Sequence, residues 1–164
     1  MKKKQKNRLI VAEITKTLKF KQPTISGLKI ISLKEISDQR GAVLHMLRAD
    51  SENFKEFGEI YFSEINPGQG KTWKNHLKMT QNLTVPVGRV LFKFYDDRST
   101  SNTCGAKEKI IVGRPNNYCL IIIPPLVWYS FENIFDKQSL IANCSSIPHD
   151  PTELKKDIPK IIDF

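Results

Sequence analysis

The sequence predicts an all-β fold, and three features support this prediction. Short runs rich in β-branched and aromatic residues recur between residues 28 and 143. Turn residues separate these runs, and few segments carry the capping residues that start a helix. Eight short strands are typical of a sandwich or barrel, and that number fits a jelly roll. We therefore predict an all-β jelly roll with few short helices.

The eight predicted strands follow one another along the chain. They cover residues 28–33, 42–47, 59–65, 82–87, 89–95, 109–112, 118–123 and 138–143. Side chains alternate between the two faces of a strand. In the fifth run this alternation places Val90, Phe92 and Phe94 on one face, which we predict to be part of the core.

The segments between the predicted strands have the composition of turns. Residues 38–41, 66–70 and 113–117 contain glycine or asparagine, which accept positive φ, and Pro124 and Pro125 fix their own φ. Helical candidates are confined to a short turn at 53–56 and a piece at 152–156. The second candidate follows Asp150, a residue suited to a helix N-cap.

The chain of 164 residues is long enough for one domain with a sizeable core. We divide it into a basic N-terminal leader at 1–21, either strand-forming or flexible, a jelly-roll domain at 22–155 and a C-terminal tail at 156–164. The leader holds eight lysine or arginine residues against Glu13, and so carries about +7 of the formal net charge of +9. Such runs are typical of a solvated arm, which makes nucleic-acid binding the weakest functional hypothesis.

Composition argues against several classes of protein. Cys104, Cys119 and Cys144 have no CxxC spacing, which indicates reduced thiols and a cytoplasmic protein. The three histidines lie far apart in the sequence, so we expect no metal site and no metal cofactor. No apolar run approaches the roughly 20 residues that a membrane helix needs. We expect a soluble protein that has no membrane partner.

Four short motifs occur in order between Asp38 and Phe131. They are DQRG at 38–41, WKNH at 73–76, a segment at 88–98 followed by Ser101 and Gly105, and IPP at 123–125. In these motifs the chain resembles the dTDP-4-dehydrorhamnose 3,5-epimerase family, cupin-type enzymes that act on 4-keto-6-deoxy sugar nucleotides. The resemblance implies a double-stranded β-helix of the cupin class. It also implies a homodimer that exchanges N-terminal strands and completes each nucleotide site with residues of both subunits, and an activity without a cofactor.

The resemblance assigns His76 as the base that removes the proton α to the 4-keto group. That proton is weakly acidic, so the chemistry needs a base titrating near neutral pH and a donor for the enolate oxygen. Histidine has a suitable ordinary pKa, about 6.5. Gln81 lies where the family has an enolate-stabilising lysine, and Lys78 or Lys74 could reach the same space. From the sequence alone, His76 could instead be a surface histidine after a glycine-rich turn.

Two family residues have no counterpart in the sequence. The tyrosine that reprotonates the other face of the sugar ring would fall near residues 141–143, where there is none. Tyr129, or alternatively Tyr61, is the candidate replacement, unless only one carbon is epimerised and the histidine suffices. The carboxylate that orients the histidine is expected to be missing or rebuilt, because little sequence follows Asp150.

Four further residues are candidates for substrate binding. The resemblance implies that Arg40 contacts the nucleotide phosphates, although it could equally pair with Asp38 in its own turn. Lys74 could hold phosphate as a point charge, and His45 replaces the glutamate that contacts the nucleotide base. Trp73 could stack on the base or the sugar, or pack in the core.

We therefore predict an epimerase of a nucleotide-linked 4-keto-6-deoxy sugar, such as a dTDP-sugar, that serves cell-surface polysaccharide or lipopolysaccharide synthesis. One alternative is a sugar-nucleotide 3,4-ketoisomerase, since such enzymes also use cupin folds with histidine bases. Another is a non-catalytic nucleotide-sugar-binding module on the same fold. The missing tyrosine and carboxylate add weight to this second alternative.

Overall fold

The computed structural model describes residues 14–16 and 20–158. Within these residues the chain forms twelve strands and one 3-10 helix, and no α-helix. The strands are β1 (Ile14–Lys16), β2 (Lys29–Ser32), β3 (Glu35–Asp38), β4 (Gly41–Leu44), β5 (Glu59–Ile65), β6 (Gly70–Lys74), β7 (Gln81–Val87), β8 (Arg89–Asp96), β9 (Lys107–Gly113), β10 (Cys119–Ile123), β11 (Val127–Asn133) and β12 (Ser139–Ser145); the 3-10 helix is Pro151–Glu153. In this part of the chain no helix is long and apolar enough to cross a membrane.

Two antiparallel sheets pack face to face and form the predicted jelly roll. One has the strand order β2-β10-β7-β12-β5, and the other has the order β6-β11-β8-β9. Every neighbouring pair in these sheets is antiparallel. The inner faces of both sheets contribute to a single apolar core. The all-β prediction is confirmed, because these strands can bury their apolar faces only against one another.

The core forms where the alternation of side chains predicted it. Val90, Phe92 and Phe94 of β8 are fully buried. The ring of Phe92 lies 5.6 Å, centroid to centroid, from Phe131 on the neighbouring strand β11. The opposite sheet contributes Ile121 of β10, also fully buried. Each buried aromatic side chain removes a large apolar area from water, which is the main stabilising contribution to a sandwich of this kind.

A third, smaller sheet has the strand order β1-β3-β4. The DQRG motif forms the turn between β3 and β4. Leu44 and the two residues Met46 and Leu47 then pack on the outer face of β10, where Leu120 and Ile122 point away from the main core. The segment from β3 to Leu47 therefore covers part of the outer face of the five-stranded sheet.

The prediction missed four strands: β1, β3, β6 and β11. Strand β6 has the sequence GKTWK, whose glycine and lysines do not favour a strand, and its backbone pairing with β11 determines its conformation. Strand β11 alternates buried Val127, Tyr129 and Phe131 with Ser130 and Glu132, a pattern that could have been recognised.

The two helix predictions have different outcomes. The predicted turn at 53–56 contains no helix, because the chain turns at 51–53 and then continues without regular structure. The predicted piece at 152–156 is replaced by the 3-10 helix at 151–153, since proline is favoured in the first turn of a helix. Asp150 is its N-cap as expected, and its Oδ1 accepts a hydrogen bond from the backbone N–H of Thr152 at 2.8 Å.

The predicted division of the chain stays a prediction. Of the leader at 1–21, residues 14–16 form β1 and residues 20 and 21 are described, and the remainder lies outside the described residues. Residues 156–158 of the predicted tail are described and have no regular structure, and 159–164 lie outside the described residues.

Gly88 and Gly105 provide a matched test of how tightly the two sheets meet. Both have φ +86, where alanine costs about 1–2 kcal/mol. A Cβ on Gly88, between β7 and β8, would lie 2.8 Å from Ser139 Cα, whereas a Cβ on Gly105 would have no atom within 4 Å. We expect Gly105→Ala to lower the free energy of unfolding by about 1 kcal/mol and Gly88→Ala by about 3 kcal/mol or more. Urea denaturation followed by circular dichroism measures both; equal losses would contradict this packing.

Candidate functional site

Polar side chains are buried between the two sheets near the start of β7 and the end of β6. Gln81 precedes the core residues Leu83 and Val85 on β7, so the period of two places it on the inner face. The same period turns Asn143 inward next to Ile141 on β12. Gln81 and Asn143 are 1% and 2% exposed, so the core ends in a polar cluster.

His76 is part of this cluster and is held by a carboxylate. It follows β6 by two residues and is 8% exposed. Its Nδ1–H donates to Oε2 of Glu153 at 2.6 Å. The other oxygen, Oε1, accepts from the backbone N–H groups of Lys78 at 2.5 Å and Met79 at 2.6 Å. Because the carboxylate fixes the proton on Nδ1, the lone pair of His76 is on Nε2.

The electrostatics of this pair are suited to proton removal. Burial lowers the pKa of His76 below its ordinary value, and the hydrogen bond and charge of Glu153 partly offset that effect. Burial alone would raise the pKa of Glu153, but the hydrogen bonds from Lys78, Met79 and His76 outweigh it and lower that pKa. His76 is therefore neutral, and Glu153 ionised, at neutral pH.

Glu153 reaches the site because the end of the described chain folds back along His76. The backbone N–H of Leu77 donates to the carbonyl of Glu153, and that of Lys155 donates to the carbonyl of Asn75, both at 2.9 Å. The Lys155 ammonium lies 2.7 Å from Oδ2 of Asp97 and covers the ring of Trp128 at 5.6 Å. These contacts anchor the segment that carries the carboxylate.

The expectation of a missing or rebuilt carboxylate is thus resolved, because Glu153 is the rebuilt partner of His76. Sequence reasoning did not identify it, since 77 positions separate the two residues. The one available signal is the D-x-x-E pattern of Asp150 and Glu153, which also fits the start of a helix.

Tyr129 contacts the free nitrogen of the histidine. Its hydroxyl lies 3.4 Å from His76 Nε2, and the two rings are stacked with centroids 6.1 Å apart. It is 3% exposed. Burial raises the pKa of Tyr129, and the nearby acidic groups of Tyr61 and Glu153 add to the increase, so the phenol is a neutral donor to Nε2.

Gln81 and Asn143 form an amide pair on the opposite sheet. The side-chain NH₂ of Asn143 donates to the side-chain oxygen of Gln81 and, at 2.6 Å, to the hydroxyl oxygen of Tyr61. The NH₂ of Gln81 donates to the sulfur of Met79. Oδ1 of Asn143 is buried and has no hydrogen-bond partner among the described residues. A buried acceptor without a partner is costly in a closed core, which indicates a place for a ligand group.

The two candidate lysines are placed differently. Lys74 lies opposite Tyr129 in the β6–β11 register, so its side chain is on the inner face. Burial lowers the pKa of Lys74, and the nearby charge of Lys71 lowers it further. The Lys78 side chain is exposed, and its backbone N–H is the group that enters the site.

Arg40 and His45 are not brought to His76 within one chain. Arg40 is exposed on the β3–β4 turn, where its guanidinium binds Asp38 at 2.5 Å. His45 lines a cavity of about 260 Å³ on the outer face of the five-stranded sheet, together with Leu33 and Leu120. Its carbonyl accepts a hydrogen bond from Tyr118.

Trp73 points to the outer face of the four-stranded sheet, because its neighbour Lys74 is on the inner face. It is half-buried and lines a groove of about 350 Å³ on the four-stranded sheet, with Lys71 and Lys93. Within the described ranges, no group of three or more His, Cys, Asp or Glu side chains is arranged to hold a metal ion.

The fold and sequence are similar to those of sugar-nucleotide enzymes. A solved structure of a dTDP sugar isomerase from Desulfovibrio desulfuricans G20 is 44% identical, with a TM-score of 0.79 over 84% of this chain and 87% of that chain. The probable low-salt glycan biosynthesis epimerase Agl13 of Haloferax volcanii is 32% identical over 123 residues, 74% of this chain and 78% of that protein.

A more distant structure shares the fold. The dTDP-4-dehydrorhamnose 3,5-epimerase from Sulfolobus tokodaii superposes with a TM-score of 0.74 at 18% identity, over 92% of this chain and 85% of that chain. No protein-family model matches the sequence.

We expect Glu153→Gln to lower the pKa of His76 further. The amide removes the negative charge that favours the imidazolium, while burial of the ring, which disfavours it, remains. Titration of the His76 ring signals by NMR should give a midpoint below 6.5 in the wild type and a lower one in the variant. Asp157→Asn, an exposed carboxylate of the same segment, should not change it. An unchanged or higher midpoint in Glu153→Gln would contradict the assigned pair.

Proposed function

The chain belongs to the dTDP-4-dehydrorhamnose 3,5-epimerase family of sugar-nucleotide epimerases and isomerases, and on that premise we propose that it epimerises a nucleotide-linked 4-keto-6-deoxy sugar. The reaction removes a proton from a carbon next to the ketone and replaces it on the opposite face of the ring. The observation that supports this proposal most directly is the buried His76–Glu153 pair.

His76 is the base in this proposal. Its Nδ1–H is held by Glu153, so Nε2 can accept the proton, and the carboxylate stabilises the imidazolium that forms. Tyr129 donates to Nε2 before the substrate arrives and keeps the ring in its orientation. A module that only bound a sugar would not need a neutral imidazole backed by a buried carboxylate.

The negative charge that develops on the keto oxygen needs hydrogen-bond donors. We assign this role to Gln81 and Lys74, which are on the inner faces of opposite sheets. Lys78 takes part through its backbone N–H, which holds Glu153 in place. A donor that is already oriented in a buried site stabilises an enolate more strongly than water does.

A dTDP-sugar is the substrate that we propose, because the 44% identical structure is a dTDP sugar isomerase. Arg40 has the forked guanidinium that suits a diphosphate, and His45 and Trp73 are the candidates for contacting the nucleotide. Arg40 and His45 lie away from His76 in their own chain, so they would serve the site of a second copy. The product would enter synthesis of a cell-surface polysaccharide, such as a lipopolysaccharide, in the cytoplasm.

A homodimer is part of the same proposal, and the exposed face of β5 supports it. Strand β5 is at the edge of the five-stranded sheet. On it, Ile60 and Phe62 are 52% and 61% exposed. An apolar edge strand is an aggregation risk unless something covers it, and a second copy would cover it.

Solvent exchange tests the chemistry. With dTDP-4-keto-6-deoxyglucose in D₂O, the wild type should incorporate deuterium at C3 or C5, detected by NMR. His76→Ala should reduce the rate by about 10³-fold, within the range for loss of an acid–base group. Because the base must be neutral, the wild-type rate should rise with pH through a midpoint below 6.5 and then level off.

The control for that experiment is His149→Ala, a variant of an exposed loop histidine, which should retain exchange. Exchange that persists in His76→Ala would contradict the assignment of the base. Binding of the sugar nucleotide without exchange in the wild type would contradict the proposed reaction and favour a binding module.

Light scattering coupled to size-exclusion chromatography tests the dimer. The wild type should have twice the mass of the chain, and Phe62→Glu should give a monomer because a charge cannot be buried in an apolar interface without cost. Ile111→Glu changes an exposed apolar residue of β9, in the other sheet, and should leave the mass unchanged. A monomeric wild type would contradict the homodimer.

A further inference from the structure

The polar cluster has two walls of side chains, one from each sheet. His76 belongs to the wall of the four-stranded sheet: it follows β6, and its carbonyl accepts from the backbone N–H of Leu126, next to β11, at 2.7 Å. Gln81, Asn143 and Tyr61 are on β7, β12 and β5 of the five-stranded sheet. A sugar ring between the walls would present one face to His76 and the other to this second group.

Inversion of a carbon needs an acid on the wall that faces the base. Tyr129 is on β11, in the same sheet as β6, and its hydroxyl is 3.4 Å from His76 Nε2. A sugar ring cannot fit between two atoms at that distance. Tyr129 therefore shares the side of the base and cannot donate to the opposite face of the ring.

Tyr61 is the phenol of the other wall. It lies four residues before the core residue Ile65 on β5, so both side chains point inward. Its register partner on β12 is Asn143, whose NH₂ donates to the Tyr61 oxygen at 2.6 Å. Since that oxygen accepts from Asn143, its own proton can be donated, and no described residue accepts it.

We propose that Tyr61 is the acid that protonates the enolate on the face opposite His76. This inference rests on the proposed epimerase function and adds its second proton-transfer residue. Asn143 positions the phenol, and Gln81, which accepts from the same NH₂, positions Asn143. The partnerless Oδ1 of Asn143 is available to accept a hydrogen bond from a sugar hydroxyl.

The proposed inversion takes place in two proton transfers at carbon. His76 Nε2 takes the proton from the carbon α to the ketone, and the C–H electrons form the C=C bond of the enolate. The enolate then takes the proton of Tyr61 on the opposite face: the O–H bond breaks, a C–H bond forms and the C=O bond is restored. The Tyr61 phenolate, stabilised by the donor Asn143, regains a proton from water, and the imidazolium releases one to water.

The two tyrosines differ in their exposure, which matters when a phenolate has to regain its proton from water. Tyr61 is 37% exposed, whereas Tyr129 is 3% exposed. Water can therefore restore the proton of Tyr61 after each turnover. Burial raises the pKa of Tyr61 and the hydrogen bond from Asn143 opposes that increase, so the phenol is protonated at neutral pH and its phenolate has a donor.

The test separates α-proton exchange from inversion. The wild type and the variants are incubated with dTDP-4-keto-6-deoxyglucose in D₂O, and NMR follows both deuterium incorporation and the ring-proton couplings that report configuration. Tyr61→Phe should lower inversion by about 100-fold, as expected for loss of a general acid, while exchange with retention, catalysed by His76, falls less than tenfold. Asn143→Leu should also lower the ratio of inversion to exchange, by about tenfold, since it removes a donor to the phenolate.

Two variants serve as comparisons. Tyr129→Phe changes the base side, so it should slow exchange and inversion together and keep their ratio. Tyr95→Phe changes a tyrosine whose register partner is Trp128 on the outer side of the four-stranded sheet, and should change neither rate. Thermal unfolding of each variant shows whether it is folded.

The inference is overturned if folded Tyr61→Phe keeps the wild-type ratio of inversion to exchange, or loses both rates equally. It is also overturned if Tyr129→Phe is the variant that loses inversion selectively. A wild type without exchange would instead contradict the proposed function itself, and the role of Tyr61 with it.

Discussion

The contact between Glu153 and His76 is the interaction on which the rest of the site depends. One carboxylate satisfies three donors: the imidazole Nδ1–H and the backbone N–H groups of Lys78 and Met79. It therefore fixes the tautomer of His76 and the course of the chain after β6 at the same time. A buried carboxylate with fewer donors would lower the stability of the fold. The segment that carries Glu153 and the chain after β6 therefore have to adopt their conformations together.

The jelly roll places this pair opposite a second set of buried polar groups. Because the two sheets face each other, an inward side chain near the end of one sheet faces an inward side chain of the other. The four-stranded sheet provides His76 and Tyr129, and the five-stranded sheet provides Gln81, Asn143 and Tyr61. His76, Gln81 and Asn143 are buried at the edge of the apolar core, and burial strengthens their electrostatic interactions.

The motifs predict the family, which the comparisons confirm, and they predict His76 as the base, but they do not reveal the groups around it. His76 follows from the order of the motifs, whereas Glu153 lies outside them and is marked only by the D-x-x-E pattern that begins at Asp150. The absence of a tyrosine at 141–143 suggested a lost function. In the structure Asn143 lies there, opposite Tyr61 on the neighbouring strand. Directly opposed residues of an antiparallel pair share a face, so one can occupy the space that the other leaves.

The sequence by itself determined the all-β class, most of the strands and the buried face of Val90, Phe92 and Phe94, because side-chain alternation is a local property. Only the tertiary structure decided which polar groups meet. Glu153 lies 77 positions from His76, and Asn143 lies 82 positions from Tyr61. Strand register and the return of the C-terminal segment bring these residues together, and register depends on packing between distant strands, which no local pattern specifies.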